Sequence, residues 1–186
     1  MNIQPIRLLK GMHDDIATTG QGCFMNVIAY LNGDAQITDT SPCVCITVRP
    51  LAVKLNDLGT EEQRSRLLPF VLRAMGSATK DAGILLARVA RLRQYGEECS
   101  KLMGVVNADV DGEMRDADAK AYAYAYAYAY TYAEAYAYAY ADTGAYFRAA
   151  LFDAGLRFLD DVLPAAEPAS PVVAERCETL VKMQAA

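Results

Sequence analysis

The chain is expected to be all-α, a compact multi-helix bundle that includes one long alanine–tyrosine helix. Three observations predict it. Apolar residues recur at three- and four-residue spacing along most of the 186 residues. Strand-like stretches are scarce. Residues 116–142 alternate with a period of two, over a run too long to be one strand of a compact domain.

In that run every odd position is alanine except Thr131, and the even positions are mostly tyrosine. The tyrosines are Tyr122, Tyr124, Tyr126, Tyr128, Tyr130, Tyr132, Tyr136, Tyr138 and Tyr140; Asp116, Asp118, Lys120, Glu134 and Asp142 take the other even positions. Strict alternation over a few residues normally marks a half-buried strand, but alanine is depleted in strands. Length argues for a helix. As one strand the run spans roughly 86 Å at about 3.3 Å per residue, against a radius of gyration of about 16 Å for a compact chain of this size. As a helix it spans about 39 Å, and alanine is the best helix former. Residues two apart on a helix lie about 200° around the axis, so the tyrosines are expected on the whole circumference, with no clean apolar stripe. A hairpin or an aggregating strand tract is the alternative. A two-residue repeat is also a six-base repeat in the gene, which expands by slippage without selection.

The first twenty residues read as an irregular arm. A helix follows from about Cys23 to Leu31, with Phe24, Val27, Ile28 and Leu31 on one face and Asn32-Gly33 as its stop. Asp34 to Pro42 is a polar loop. Val44, Ile46 and Val48 look strand-like, while Leu51, Leu55 and Leu58 fit a helix opening near Pro50 and ended by Gly59. Thr60 with Gln63 is a capping-box pair. That third helix buries Leu67, Leu68, Val71 and Met75, and Pro69 is expected to kink it. A fourth helix runs from Thr79 to Tyr95, with Ile84, Leu85, Val89 and Leu92 apolar and Arg88 and Arg91 on the polar side. Gly96, Gly104 and Gly112 suggest a short helix and loop before the tyrosine run. Asp142-Thr143-Gly144 breaks or restarts the chain, and Ala145 to Leu163 forms a helix with Phe147, Leu151, Leu156, Leu159 and Val162 as core candidates. Pro164, Pro168 and Pro171 form a linker before a short terminal helix, Val172 to Met183. The resulting organisation is a helical core over 1–112, the long and closing helices of the same domain over 113–163, and a linker with its terminal helix over 164–186.

Two stretches, GCFMNVIAYLNGDAQITDTSPCVC and LAVKLNDLGTEEQRSRLLPFVLRAMGS, resemble a group of small uncharacterised actinobacterial and phage-associated proteins. That group pairs a Cys-x-Met helix ending in Ala-Tyr-x-x-Gly with a Cys-Val element, an Asn-Asp step and an Arg-x-x-Leu-Leu-Pro helix. The matching residues are Cys23, Met25, Ala29, Tyr30, Gly33, Cys43, Val44, Asn56, Asp57, Arg64, Leu67, Leu68 and Pro69. The resemblance covers roughly residues 20–80 and, loosely, 113–163. It implies a helical fold and a phage or prophage setting, with no established activity.

Net charge is −5, which points away from nucleic acid and from anionic membranes. No secretory leader and no uncharged apolar span are read in the sequence, so the five cysteines are expected to be reduced thiols in the cytoplasm. For enzyme chemistry the candidate pair is Cys23, at a helix N-terminus where the dipole lowers a thiol pKa, with His13, the one histidine. The opposing reading is a buried cysteine and a solvated histidine. Cys43 and Cys45 with Cys23 and His13 make four ligand types, but Cys-x-Cys without a second pair does not fit a structural zinc site. Neither a Walker A nor a dinucleotide-binding glycine pattern is present, so no cofactor is expected. Arg88, Arg91, Arg93 and Lys101 near Tyr95 form a mild basic run, which Glu97 and Glu98 offset. The expected role is non-enzymatic interaction or assembly, with a protein partner or a second copy contacting the tyrosines.

Overall fold

The structure is a computed structural model that describes residues 6–13, 15–103, 118–142, 144–165 and 168–185, with side chains at 100, 102–103, 118–124, 126–127 and 142 left out. Among the described residues the protein is all-α. Its helices are α1 (Ile16–Thr19), α2 (Phe24–Asn32), α3 (Arg49–Leu58), α4 (Glu61–Ser65), α5 (Leu68–Ala74), α6 (Ala82–Met103), α7 (Asp118–Asp142), α8 (Ala145–Val162) and α9 (Pro171–Ala185). Contacts gather the chain into two units. One comprises Met1–Cys45, Ala52–Ala78 and Leu163–Ala186; the other comprises Ile46–Leu51 and Thr79–Val162. The sequence boundaries at 112 and 163 follow composition, whereas contacts place the terminal helix with the first helices and α6 with the tyrosine helix.

The first unit is built on α2, whose Phe24, Val27, Ile28 and Leu31 are fully buried. Cys23 caps its start: the thiol accepts from the Asn26 N–H, and Asn26 Oδ1 accepts from the Cys23 N–H at 3.3 Å. Gly33 closes it at φ 79°, a left-handed conformation suited to glycine. Arg176 of α9 then donates to the carbonyls of Tyr30 and Leu31 at 3.2 and 3.3 Å, a cation at the negative end of the helix dipole.

The expected irregular arm is packed. Ile6, Leu8 and Ile16 are buried, and Leu8 forms an isolated parallel bridge with Gly22. Gln184 of α9 holds this segment, accepting from the Arg7 N–H and donating to the Arg7 and Gly20 carbonyls. Polar side chains hold what no sheet holds. Asn56, 1% exposed, accepts from the Phe24 N–H at 3.2 Å and donates to the Leu9 carbonyl at 2.9 Å.

Three local readings change in the structure. Val44 to Val48 forms no strand, because among the described residues no neighbouring strand is there to pair its backbone; turns and Ser77, whose hydroxyl accepts from the Cys45 N–H, take that role. Pro69 splits the third helix instead of kinking it. Its ring conflicts with a helical carbonyl four residues back, and α4 ends at that residue, Ser65, while Pro69 sits in the first turn of α5. The fourth helix runs past Tyr95 and through Gly96 to Met103, so the short helix and loop expected from Gly96 do not begin there; residues 104–112 of that reading lie outside the described residues.

In the second unit α6 packs against both α7 and α8. Leu85, Val89, Leu92, Tyr95 and Cys99 form its buried face, opposite Leu151, Phe152, Phe158 and Leu159 of α8. Ile84, read as one of the apolar residues of its helix, and Phe147, a core candidate, are exposed because each lies in the first turn of its helix, before the packed stretch. Arg91 bridges Glu98 and Asp161, and Glu98 also pairs with Arg157 at 3.3 Å; these part-exposed pairs contribute modestly. Asn56→Ala is expected to lower stability by about 2–4 kcal/mol, since it leaves the Phe24 N–H and Leu9 carbonyl without partners. Asn56→Asp, which sets a buried carboxylate against the Leu9 carbonyl and Asp57, should cost at least as much in urea denaturation at neutral pH.

Candidate functional site

A repeat of two on a helix brings identical residues together at every fourth position, only 40° apart around the axis. The tyrosines of α7 therefore fall into two rows on opposite sides. One row, Tyr128, Tyr132, Tyr136 and Tyr140, is turned inward, with Tyr128, Tyr136 and Tyr140 buried and Tyr132 half-buried. Ala125, Ala129 and Ala133 lie beside it and are buried as well, so the two helix backbones approach closely between tyrosines. The other row contains Tyr130, Glu134 and Tyr138, all exposed. The side chains of Tyr122, Tyr124 and Tyr126 lie outside the described residues.

The inward row is bound residue by residue. The Arg93 guanidinium of α6 lies 5.3 Å from the Tyr128 ring centroid and donates to its hydroxyl at 2.8 Å. Tyr132 stacks on Tyr128 with centroids 4.9 Å apart, and its ring fills the notch left by Gly96. Tyr136 meets Tyr95 at 6.4 Å, and Tyr95 meets Phe158 of α8 at 5.8 Å. Tyr140 packs on Tyr136 at 5.7 Å and carries the Arg148 guanidinium over its face. Arg148 also donates to the Ala141 carbonyl near the end of α7. The hydroxyl of Tyr136 is buried without a hydrogen-bond partner among the described residues. Burial first, then the neighbouring Tyr140 and Cys99, pushes that phenol well above its ordinary value.

The expected contact surface of nine tyrosines is thereby corrected. Tyr128, Tyr136 and Tyr140 are committed to the interior of the unit, because the fourfold row, not the whole circumference, faces α6. What remains outward among the described aromatics is Tyr130 at 41% exposure, Tyr138 at 74% and, on α8, Tyr146 at 83% beside Phe147. Tyr146 and Phe147 touch edge to face at 5.7 Å. Sequence reasoning missed Tyr146 as a surface residue and took Phe147 for core. A signal for the buried row was present: from Tyr124 to Tyr140 one row contains no charge, while the other is interrupted by Glu134.

The pair Cys23 and His13 is not arranged as nucleophile and base. Cys23 is buried, and its thiol donates to Asp39 at 3.3 Å. The His13 ring donates from Nε2 to the Lys10 carbonyl, and its backbone N–H donates to Asn26. Burial, and next the Asp39 carboxylate, pushes the Cys23 thiol up to about 12, outweighing the helix N–H groups that lower it. All five cysteines are free, and burial raises Cys99 to about 11. Among the described residues no group of three or more His, Cys, Asp or Glu gathers around a metal position. Of the basic run, Arg91 is engaged by acidic partners and Arg93 by Tyr128. No described helix is long and apolar enough to cross a membrane. These features define an all-α protein with a tyrosine row zipped between helices and a second, outward aromatic face. Comparison with protein families, curated proteins and solved structures gives no match.

Gly96→Ala should lower stability by about 1–2 kcal/mol, although alanine is the better helix former, because its Cβ would fall inside the Tyr132 ring. In a Tyr132→Ala background the same change should stabilise, and a double-mutant cycle by chemical denaturation measures the sign reversal. Cys23 should be among the slowest thiols to alkylate in folded protein at neutral pH, with half-exposed Cys43 ahead of it, as read by mass spectrometry of labelled peptides. The unfolded thiol ionises near 9 and the folded one near 12, so stability is full below pH 9 and falls as pH rises towards 12.

Proposed function

We propose that the protein is a non-enzymatic interaction or assembly protein whose contact surface is the outward side of α7 and the first turn of α8. The observation that carries this is the exposure of Tyr138 and Tyr146, at 74% and 83%, on helices that also bury Tyr128, Tyr136, Tyr140, Phe152 and Phe158. Tyrosine combines large contact area with few torsions to freeze and a hydroxyl for water or partner, which suits such a face. The burial of Ala125 to Tyr140 along one row speaks against a passenger repeat, since removing it removes part of a core. The raised Cys23 thiol speaks against a cysteine-dependent enzyme. The likeness of residues 20–80 to phage-associated proteins supports a phage or prophage setting, and the reduced cysteines support the cytoplasm.

The test replaces Tyr138, and separately Tyr146, with the photo-crosslinking residue benzoylphenylalanine. Each is expected to give a discrete adduct in cells, where the same residue at exposed Asp160 gives none. Adducts no more discrete at 138 and 146 than at 160 would refute the assignment. An adduct of doubled mass would identify a second copy.

A further inference from the structure

We infer that α9 is exchangeable: a second copy of this chain seats its own α9 on α1 and α2, and the two copies form a domain-swapped dimer. This surface is separate from the aromatic face proposed above. Because the partner has the same sequence, every contact of the closed chain is reproduced in the swapped one.

The seat is specific. α9 packs on α1 and α2 and buries Cys177 and Leu180. Arg176 donates to the Tyr30 and Leu31 carbonyls, and Gln184 bonds the backbone of Arg7 and Gly20. A Cβ at Gly20 would meet Met183, so the helix lies close against that turn. The hydrogen-bonded partners stand 145 to 177 residues back along the chain, and none of them belongs to the connection that delivers α9. The helix carries Glu175 and Glu178 against Arg176 and Lys182, so exchanging it moves no net charge.

The connection is suited to opening. It contains Pro164, Pro168 and Pro171, whose rings fix φ and favour extended backbone. Arg73 pins its start, donating to the Leu163 and Pro164 carbonyls at 2.7 and 2.8 Å. Past that point the connection lines a cavity of about 330 Å³ together with Leu72, Met75 and Gly76. Pro164, Ala165, Pro168 and Ser170 are all exposed there, so straightening the connection gives up little packing. Closed and swapped chains make the same α9 contacts, and concentration decides between them. A helix on a short tether meets its own seat at an effective concentration of about 1 mM. The chain is therefore closed when dilute, and a shorter tether favours exchange.

The experiment measures mass by light scattering on the full chain and on a variant lacking residues 165–169. The full chain is expected to dimerise near 1 mM, and the shortened chain at about a hundredfold lower concentration. In the shortened chain Leu180→Asp should abolish the dimer, while Tyr138→Ser with Tyr146→Ser should leave it intact. A second measurement needs no variant. Ordinary and nitrogen-15 full chains are mixed at about 1 mM and treated with an amine crosslinker. Peptides joining Lys10 to Lys182 are expected in mixed-isotope form, which only trans seating of α9 produces. A shortened chain that folds and stays monomeric, or whose dimer survives Leu180→Asp, overturns the inference. So do Lys10–Lys182 peptides of single isotope only, and this result decides the matter if the shortened chain does not fold.

Discussion

The close approach of α7 to α6 is the constraint on which the second unit depends. The buried Ala125, Ala129 and Ala133 let the helices come near, and tyrosine at every fourth position fills what remains, so that one side of α7 reads as large and small residues in alternate ranks. Gly96 is the counterpart on α6. Without a side chain there, the Tyr132 ring lies against the helix itself, and Tyr128 and Tyr136 fall into place on either side of it, under Arg93 and against Tyr95. Along α7 the packing is by rings, alanines and a few directed contacts, beside the buried aliphatic residues of α6 and α8.

A strict alternation carries an ambiguity, because its two tyrosine rows are equivalent until something breaks the symmetry. Glu134 breaks it. Burying that carboxylate without a partner would cost several kcal/mol, so the uninterrupted row turns inward and the interrupted one faces water. The same residue thereby fixes the rotation of α7 and leaves exposed tyrosines on both sides of a charge. Fold and candidate contact surface are two consequences of one substitution in the repeat.

The first unit solves a different problem. Its N-terminal segment has no sheet to join, and buried amides take the place of one: Asn26 gathers the N–H groups of His13 and Cys23, and Asn56 gathers those of Phe24 and the Leu9 carbonyl. Cys23 belongs to this arrangement as a helix cap. The dipole that would activate an exposed thiol is outweighed by burial and by the Asp39 carboxylate.

Helix class and most boundaries were legible in the chain, because they depend on local chemistry: Gly33 as a left-handed stop, the Thr60–Gln63 capping box, Pro50 in a first turn, and the break before Ala145. The long run was readable as helix from length alone. The buried face of α2 was legible too; what the sequence by itself did not determine is where along the later helices the packed stretch would fall, since that depends on a partner distant in the chain. Gly96 looked like a terminator and became a notch because Tyr132 lies over it; Phe147 looked like core and is exposed because its turn lies before the packed stretch. The choice between two identical tyrosine rows, and with it the outward surface, was decided by tertiary packing, through the energy of burying one carboxylate.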